Sequence, residues 1–376
     1  MTRNFLFVEP SKTGDQHITL LGGLLKSVIN HPSLFMSHKL KCRLSPSTFK
    51  SLDEVIKGQL DFSPIFVMDP RKRRLALKSF VEFLTVAWLI IRMDRRDTML
   101  ITCLLAPALF LLEIFSGLIV GRKRVFIVLH SEIEALNSNS MSSRISEYGF
   151  WIKKWLRYRR FDSVINLVVL EDFIRLRLLD IGGGKISPNN VWAICHPIEI
   201  MEKKTPEDIS DVKPARSACF IGYRSSDKGF DAFATLSLKW PDVRFVAIGG
   251  GVVEDIGSGE TRLLKLPKDY HEAISGCDIA IFPYTRAYDV SLSAAVLDAL
   301  ACNVFVVASE RGCFAALAEI FGPGSVAIYY SEDQLSSTIS LALHATKESK
   351  SSRREIIEDS RFGLPAIARQ VAKILN

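Results

Sequence analysis

The stretch from Asp278 to Ala308 constrains the fold most strongly, because it combines a strand, a loop, a helix and a second strand. Its two ends, Asp278–Phe282 and Asn303–Ala308, are short apolar runs typical of buried parallel strands. Between them, Pro283–Val290 is a polar, turn-prone loop, and Ser291–Cys302 has the apolar spacing of a helix. A helix that begins at the carboxyl end of a parallel strand presents free N–H groups, so this stretch predicts an anion-binding site.

The same alternation of strands and helices runs through both halves of the chain. The first half opens with a strand at Asn4–Val8, and the second half restarts with a strand at Ala218–Ile221. A chain of 376 residues is long enough for two domains. The polar, Pro-containing segment 201–217 is typical of a linker between them. We therefore predict an α/β protein with two Rossmann-like, doubly wound α/β/α domains that face a cleft.

The predicted parts of the chain follow from these patterns. They are a first domain at 1–200, the linker at 201–217, a second domain at 218–360 and a C-terminal helix at 361–376. Within them we also expect a strand at Pro64–Met68, a strand at Leu263–Leu266 and helical structure throughout Ile356–Leu375.

The apolar stretch Thr98–Val120 is long enough to span a bilayer. Pro107 splits it, however, and Glu113 would lie in the hydrocarbon. We therefore favour a buried β-α-β unit. Its parts are a strand at 98–105, a helix at 107–115, a break at Gly117 and a strand at 125–129.

The net charge of +7 is distributed unevenly. Residues 1–200 contain 28 Lys and Arg against 18 Asp and Glu, whereas residues 201–376 contain 20 against 23. A basic first half indicates an anionic membrane, a phosphate-bearing acceptor or nucleic acid as partner, or simply a solvated surface.

The segment 150–161, FWIKKWLRYRRF, mixes five basic residues with five aromatic ones. Aromatic and basic side chains together are typical of contact with the headgroups of an anionic membrane. An ordinary helix that covers the sheet would have a similar composition. Because no nucleic-acid-binding motif accompanies the charge, we expect no nucleic-acid partner.

The seven cysteines are scattered, and no C-x-x-C pair or Cys/His metal spacing occurs. This pattern fits buried thiols in a reducing compartment, and the first ten residues, MTRNFLFVEP, lack the apolar run of a secretory signal. We therefore expect a cytoplasmic location and no metal site.

Several loops at strand ends carry candidate site residues. Gly14 and His17 follow the first strand, where they would reach the acceptor side of a cleft. His130 closes a strand in the first half, and Gly249 and Gly250 follow a strand in the second. Doubly wound folds place their chemistry at such carboxyl ends.

The second half resembles the C-terminal domain of GT-B glycosyltransferases of the retaining family 4 type. That family has a G-R-x(4)-K-G turn after its first strand, and Gly222, Lys228 and Gly229 match this turn at the right spacing. Tyr223 stands where the family has arginine, and Arg224 is adjacent. The segment FPYTRAYDVSLSAAVLDALACNVFVVAS resembles the family region that carries two acids eight positions apart.

The resemblance implies a role for each matching residue. Asp298 matches the second acid, which holds the nucleotide ribose, and Asp289 is the nearest match to the first acid, which contacts the donor sugar, although it lies nine positions before Asp298. The residues assigned to the donor diphosphate are Arg224, Lys228, Ser293 and Ala294, those assigned to the nucleotide are Asp298, Gly249 and Gly250, and the catalytic candidates are His130 and Asp289.

The resemblance also implies a function and a GT-B fold whose C-terminal helix returns to the first domain. We expect a retaining, metal-independent transferase that moves a sugar from a nucleotide sugar to a polyprenyl-diphosphate-linked saccharide at the inner face of the plasma membrane. Bacterial exopolysaccharide, capsule or O-antigen assembly would use such an enzyme. The alternatives are a catalytically degenerate scaffold at the membrane and a sugar-nucleotide epimerase.

Overall fold

The chain consists of two compact units, 1–197 together with 364–376, and 198–363. The computed structural model describes residues 3–12, 18–68, 75–129, 133, 136, 143–198, 216–249, 260–262, 267–285, 292–345, 356–357 and 359–375. The predicted linker therefore lies almost entirely outside the described residues, and the second unit's first strand begins at Ser217.

The described part of the first unit contains a seven-stranded parallel sheet. Its strands are β1 (Arg3–Val8), β2 (His38–Leu44), β3 (Asp61–Pro64), β4 (Thr98–Ile101), β5 (Arg124–Leu129), β6 (Ile165–Val169) and β7 (Val191–Ala193). They lie in the order β3-β2-β1-β4-β5-β6-β7, and every pairing is parallel. The order reverses between β1 and β4, which is where doubly wound sheets form their ligand crevice.

Helices cover both faces of this sheet, so its central strands are buried. The helices are α1 (Ile18–Ile29), α2 (Pro32–Ser37), α3 (Pro46–Ser51), α4 (Glu54–Lys57), α5 (Leu75–Arg92), α6 (Ala106–Ile119), α7 (Ser143–Tyr158) and α8 (Asp172–Gly182). All four residues of β4 are buried, as are the last five of β5. Continuous apolar runs of this kind are what a parallel sheet between two helical layers requires.

The second unit repeats the arrangement with six described strands. They are β8 (Ser217–Ile221), β9 (Arg244–Ile248), β10 (Glu260–Arg262), β11 (Ile279–Phe282), β12 (Phe305–Ser309) and β13 (Val326–Tyr329). All pairings are parallel, and the order is β10-β9-β8-β11-β12-β13. Its helices are α9 (Phe230–Lys239), α10 (Pro267–Ser275), α11 (Ala294–Ala301), α12 (Gly312–Phe321) and α13 (Glu332–Ala345). Both units thus have the Rossmann order, as predicted.

The C-terminal helix, α14 (Leu364–Leu375), belongs to the first unit. It packs against α1, and the Arg124 guanidinium donates to the carbonyl oxygens of Ile374 and Leu375. Gln370 accepts a hydrogen bond from the backbone N–H of Cys195 at 2.7 Å. The chain therefore returns to its first unit at the end, as the resemblance implied.

The apolar stretch from Thr98 forms a β-α-β unit, as the sequence favoured. Glu113 is buried in α6, where its Oε2 lies 2.7 Å from Arg159 Nη1 and accepts from the Trp155 indole N–H at 3.2 Å. A charged partner is what makes a buried carboxylate tolerable, so Glu113 joins α6 to the end of α7. Among the described residues, no helix is long and apolar enough to cross a membrane.

The predicted boundaries were wrong at several places. Gly117 lies within α6 and does not break it, whereas the turn after α6 uses Gly121 with a φ of +57°. The third strand lies at Asp61–Pro64 instead of Pro64–Met68, and strand β2 was not predicted at all. The last helix begins at Leu364. The strand expected at 263–266 lies outside the described residues.

All seven cysteines are free and buried. Burial raises the pKa of the Cys42 thiol to about 12, so this group is protonated at neutral pH. The cysteines therefore act as small apolar core residues, as their positions in apolar runs indicated.

Candidate functional site

The candidate site lies in the second unit, at the carboxyl ends of β8, β9 and β11. Strands β9 and β10 lie on one side of β8 and strand β11 on the other, so the order reverses at this point. The loop 222–229 follows β8, and Pro283 follows β11. Helix N-termini and loops meet at such a reversal, which makes it the expected ligand site of the unit.

Three glycines allow these loops to approach closely. Gly222, Gly229 and Gly249 have φ values of +125°, +68° and +128°. A Cβ on Gly229 would overlap the carbonyl oxygen of Pro283, and one on Gly249 would overlap that of Gly222. These conformations and contacts exclude larger residues, so the predicted nucleotide-side residue Gly249 and the β8 loop form one packed structure.

Hydrogen bonds fix the β8 loop to the β11 loop. The backbone N–H of Thr285 donates to the carbonyl oxygen of Asp227 at 3.0 Å, and the Thr285 hydroxyl donates to the same oxygen at 2.9 Å. Asp227 and Lys228 belong to a single 3₁₀ turn, Ser226–Lys228. The hydrogen bonds from Thr285 to Asp227 therefore also fix the position of the Lys228 backbone, which follows Asp227 in the same turn.

The Lys228 ammonium lies among groups from the ends of β8 and β11. Its Nζ is 5.3 Å from the centre of the Tyr284 ring and would be 3.0 Å from a Cβ on Gly222. The Tyr284 hydroxyl in turn lies 3.0 Å from the Ser293 hydroxyl. Tyr284 is buried and was not predicted as a site residue, although it belongs to the segment that resembles the family. It links the cation to the start of α11.

Helix α11 begins at this position with Ser293 as its N-cap and Ala294 as its first residue. Its first turn is Ala-Ala-Val, so small side chains surround the N–H groups that a helix leaves without intrahelical partners. These N–H groups and the helix dipole favour an anion. The predicted residues Lys228 and Ser293 therefore both contact Tyr284, and Ala294 follows Ser293 as the first residue of α11.

Arg224 is positioned differently from Lys228. The side chain is buried, its guanidinium lies 5.8 Å from the centre of the Phe230 ring, and its Nη2 is 3.5 Å from the carbonyl oxygen of Gly249. Burial lowers the pKa of Arg224. The neighbouring Tyr223, where the family has arginine, is 61% exposed. Arg224 thus lies beside Gly249, packed into the protein.

Asp298 lies one turn further along α11 and contacts α10. The Tyr270 hydroxyl donates to Asp298 Oδ2 at 3.0 Å. Burial raises the pKa of Asp298, and the hydrogen bond from Tyr270 opposes this shift. Burial, together with the adjacent Asp298, raises the pKa of Tyr270, so the phenol remains a donor at neutral pH. Tyr270 was not predicted, because its partner lies on a different helix.

The remaining predicted site residues lie outside the described residues. They are His130, Asp289, Gly250, Gly14 and His17. Of the predicted set, the structure brings together Lys228, Ser293, Ala294 and Gly249, places Arg224 next to Gly249, and places Asp298 within the same helix as Ala294.

A second polar cluster lies at the reversal between β1 and β4 of the first unit, and it was not predicted. Glu9 accepts from the backbone N–H of Ser11 at 3.1 Å and from the Thr102 hydroxyl at 2.8 Å. Lys78 donates to the carbonyl oxygen of Ser11 at 3.0 Å, and its Nζ lies 3.9 Å from Glu82. Burial raises the pKa of Glu82 to about 7. The four-residue spacing of Lys78 and Glu82 on α5, typical of an ion pair within a helix, is the sequence signal that could have indicated this cluster.

Comparisons with known proteins agree with this fold. No family model and no curated protein matches the chain. Among solved structures, Anabaena HepE in complex with UDP and glucose superposes with a TM-score of 0.68 at 16% identity, covering 99% of each chain. The glycosyltransferase WaaG, involved in lipopolysaccharide biosynthesis, gives 0.60 at 12% identity, again covering 99% of each chain.

A plant enzyme has the same fold. The catalytic domain of starch synthase IV from Arabidopsis thaliana, bound to ADP and acarbose, gives a TM-score of 0.64 at 10% identity and covers 100% of this chain and 99% of that one. The likeness runs along the whole chain and includes both Rossmann-ordered sheets. The chain therefore has the GT-B fold, and the predicted fold class is confirmed.

Proposed function

We propose that this protein is a glycosyltransferase that moves a sugar from a nucleotide-sugar donor to a saccharide acceptor. The observation that carries the proposal is the electropositive site around Lys228, Tyr284 and the start of α11. Its position at the strand reversal is where a Rossmann-like unit holds the phosphates of a nucleotide.

The reaction makes one main demand on the protein. The anomeric carbon exchanges its bond to the diphosphate for a bond to an acceptor oxygen. The electron pair of the broken bond leaves with the nucleoside diphosphate, which also takes up the proton of the acceptor hydroxyl. Negative charge thus develops on the leaving diphosphate. Fixed cations and oriented N–H groups stabilise that charge without having to reorganise.

Residues of the second unit fit this demand. Lys228 would supply the cation for the diphosphate, to which Arg224 is also assigned, and the N–H groups at Ser293 and Ala294 would bind the distal phosphate. These groups supply the positive charge from the protein itself, and for this reason we propose a metal-independent reaction. Gly249 and Gly250 are assigned to the nucleotide, and Asp298 is assigned to the ribose.

Residues on other loops are proposed to bind the donor sugar and the acceptor. Asp289 is assigned to the donor sugar, and His130 is the candidate for orienting the sugar hydroxyls. Gly14 and His17 are assigned to the acceptor side. With these assignments we infer retention of anomeric configuration, as the resemblance to the family 4 type implies.

The superposed structures suggest which donor and which acceptor to test first. One HepE structure contains UDP and glucose, and another contains UDP-glucose. WaaG is involved in lipopolysaccharide biosynthesis. We therefore propose a UDP-hexose as the first donor, a polyprenyl-diphosphate-linked saccharide as acceptor, and a role in bacterial exopolysaccharide, capsule or O-antigen assembly. The enzyme would work on the cytoplasmic face of the membrane, in peripheral contact through residues 150–161.

A matched pair of lysine variants tests the assignment of the site. Lys228→Ala removes the proposed cation, and Lys239→Ala removes an exposed lysine at the far end of α9. Loss of one preorganised group at a developing anion costs about 10²–10³ in kcat. We expect Lys228→Ala to lose that much nucleoside-diphosphate release with UDP-, GDP- or dTDP-hexose, and Lys239→Ala to keep wild-type turnover. Equal turnover by both variants would contradict the proposal.

One observation favours the scaffold alternative, namely that Arg224 is packed into the protein while Tyr223 occupies the family's arginine position. A scaffold predicts nucleotide binding without release of nucleoside diphosphate from any donor. An epimerase predicts a changed sugar configuration in the donor pool without transfer. Proton NMR of the donor during the assay separates these outcomes from glycosyl transfer.

A further inference from the structure

Helix α5 has an exposed face that is apolar along its whole length. Its most exposed large side chains fall on one stripe, at spacings of three, four, four and three residues: Leu77, Phe80, Leu84, Trp88 and Ile91. Trp88 is 51% exposed and Ile91 61%. A surface helix of a globular domain normally has polar residues on this side. Helix α5 instead has an apolar exposed face, while its opposite side packs in the core and includes the buried Lys78 and Glu82.

Helix α6 continues this apolar surface. Ile114, Phe115 and Leu118 are exposed, and Leu118 is 88% exposed. The two helices pack against each other, with the rings of Phe83 and Phe115 centred 5.9 Å apart. We define the α5–α6 face as Leu77, Phe80, Leu84, Trp88, Ile91, Ile114, Phe115 and Leu118. Contiguous apolar surface of this kind marks a contact with a partner or a membrane.

Basic side chains border one end of the α5–α6 face. The Arg92 guanidinium lies 4.5 Å from the centre of the Trp88 ring. Lys123 donates to the carbonyl oxygens of Ile90 and Ile91, which places the C-terminal ends of α5 and α6 side by side. Three exposed arginines follow these ends: Arg95, Arg96 and Arg122. Of the acids there, Asp97 accepts from Asn4, and Asp94 is exposed.

Helix α7 extends the basic border along α6. The Lys154 ammonium lies 5.0 Å from the centre of the Phe110 ring, and Phe110 also contacts Trp151. Trp155 and Arg159, however, are buried, so only part of the basic, aromatic segment 150–161 is available to a partner. The larger apolar surface of this layer is the α5–α6 face.

We infer that the α5–α6 face docks the protein on an anionic lipid bilayer. Exposed aliphatic and aromatic side chains would enter the boundary between headgroups and acyl chains, while the adjacent arginines meet anionic headgroups. Charge complementarity favours this occupant over a second copy of the chain, because a second copy would bring its own arginines against the same border. The inference rests on exposed side chains of the first unit and does not depend on the proposed transferase activity.

Vesicle sedimentation with a matched pair of variants tests the inference. Leu118→Glu places a charge on the α5–α6 face, and Leu176→Glu places the same charge on an exposed leucine of α8 in the same unit. With vesicles of phosphatidylcholine and phosphatidylglycerol, we expect Leu118→Glu to lower the partition coefficient about tenfold, since burial of one leucine is lost. Leu176→Glu should bind as the wild type does. Binding should weaken in vesicles of phosphatidylcholine alone and in high salt.

Several results would show that the α5–α6 face does not dock on a bilayer. Equal binding by Leu118→Glu and wild type would overturn it, as would an equal loss in Leu176→Glu. A wild-type dimer that Leu118→Glu converts to a monomer in sedimentation velocity, without vesicle binding by either protein, would assign the face to a second copy. Because both leucines lie outside the donor site, nucleoside-diphosphate release in solution should be unchanged, so this inference can fail while the transferase proposal stands.

Discussion

Substitution of Gly229 by alanine should disrupt the donor site by displacing the β8 loop from the β11 loop. Gly229 has a φ of +68°, in the left-handed region that alanine adopts only with strain. A Cβ at this position would lie 2.7 Å from the carbonyl carbon of Pro283 and would overlap its oxygen. Since both atoms belong to backbone, neither can move aside as a flexible side chain would. The loop that carries Lys228 must therefore shift.

The expected loss of stability in Gly229→Ala has two parts, one from the backbone conformation and one from the steric overlap. The same substitution at a second glycine, Gly183, measures the first part alone. The left-handed conformation costs alanine about 1–2 kcal/mol, and the overlap adds about 1–3 kcal/mol, as overpacking does in a core. Gly183 has a nearly identical conformation, with a φ of +54°, but open space around its Cβ position. Gly183→Ala should therefore lose about 1–2 kcal/mol, and Gly229→Ala about 2–5 kcal/mol.

Urea titration followed by pulsed hydrogen exchange measures both losses, because it reports on the strands of each unit separately. Gly229→Ala should destabilise β8 and β11 and abolish stabilisation by UDP, whereas Gly183→Ala should keep UDP binding. If Gly229→Ala binds UDP normally and loses no more stability than Gly183→Ala, the packed loop is not what positions Lys228.

Two further predictions concern buried carboxylates of the first unit. Burial raises the Glu82 pKa from 4.5 to about 7, so the stability that this group contributes is present below pH 4.5 and is lost as the pH rises through 7. Glu82→Gln should remove about 3 kcal/mol of this dependence, measured by urea unfolding at pH 5 and pH 8; an unchanged dependence would contradict it. Glu113→Ala should cost about 3–5 kcal/mol, because it leaves the buried Arg159 uncompensated. In contrast, Asp162→Ala at the exposed pair with Arg160 should cost less than about 1 kcal/mol, and equal losses would refute this account.

Much of the fold could be predicted because central parallel strands are continuous apolar runs. Strand β2 was missed because the prediction relied on continuous apolar runs. Its sequence HKLKCRL instead alternates, as expected of a strand whose second face is only partly covered. Gly117 suggested a break, but in an exposed position within α6 a glycine only weakens the helix. Local sequence patterns thus predict strands well where both faces are buried. They predict strands and helix ends less well where packing against other elements determines the structure.

Only the site residues that belong to a recognisable local motif could be predicted from the sequence. Lys228 was predicted because it matches the family's G-R-x(4)-K-G turn, and Ser293 because it lies in the segment that resembles the family's two-acid region. Tyr284 and Tyr270 were not predicted, since their contacts with Lys228 and Asp298 join segments that are distant in sequence. The α5 stripe was also missed, because a helix with large apolar residues on several sides does not reveal which of them the protein covers.

Mass spectrometry of the acceptor pool shows whether the protein transfers a sugar from a nucleotide sugar to a saccharide acceptor. The wild-type protein is incubated with a polyprenyl-diphosphate-linked saccharide extract and with UDP-, GDP- or dTDP-hexose in turn. We expect one donor to add a single hexose to the acceptor, and we expect Lys228→Ala to remove this product while Lys239→Ala retains it. Nucleotide binding without a hexose addition from any donor would contradict the claim that this GT-B protein is a transferase.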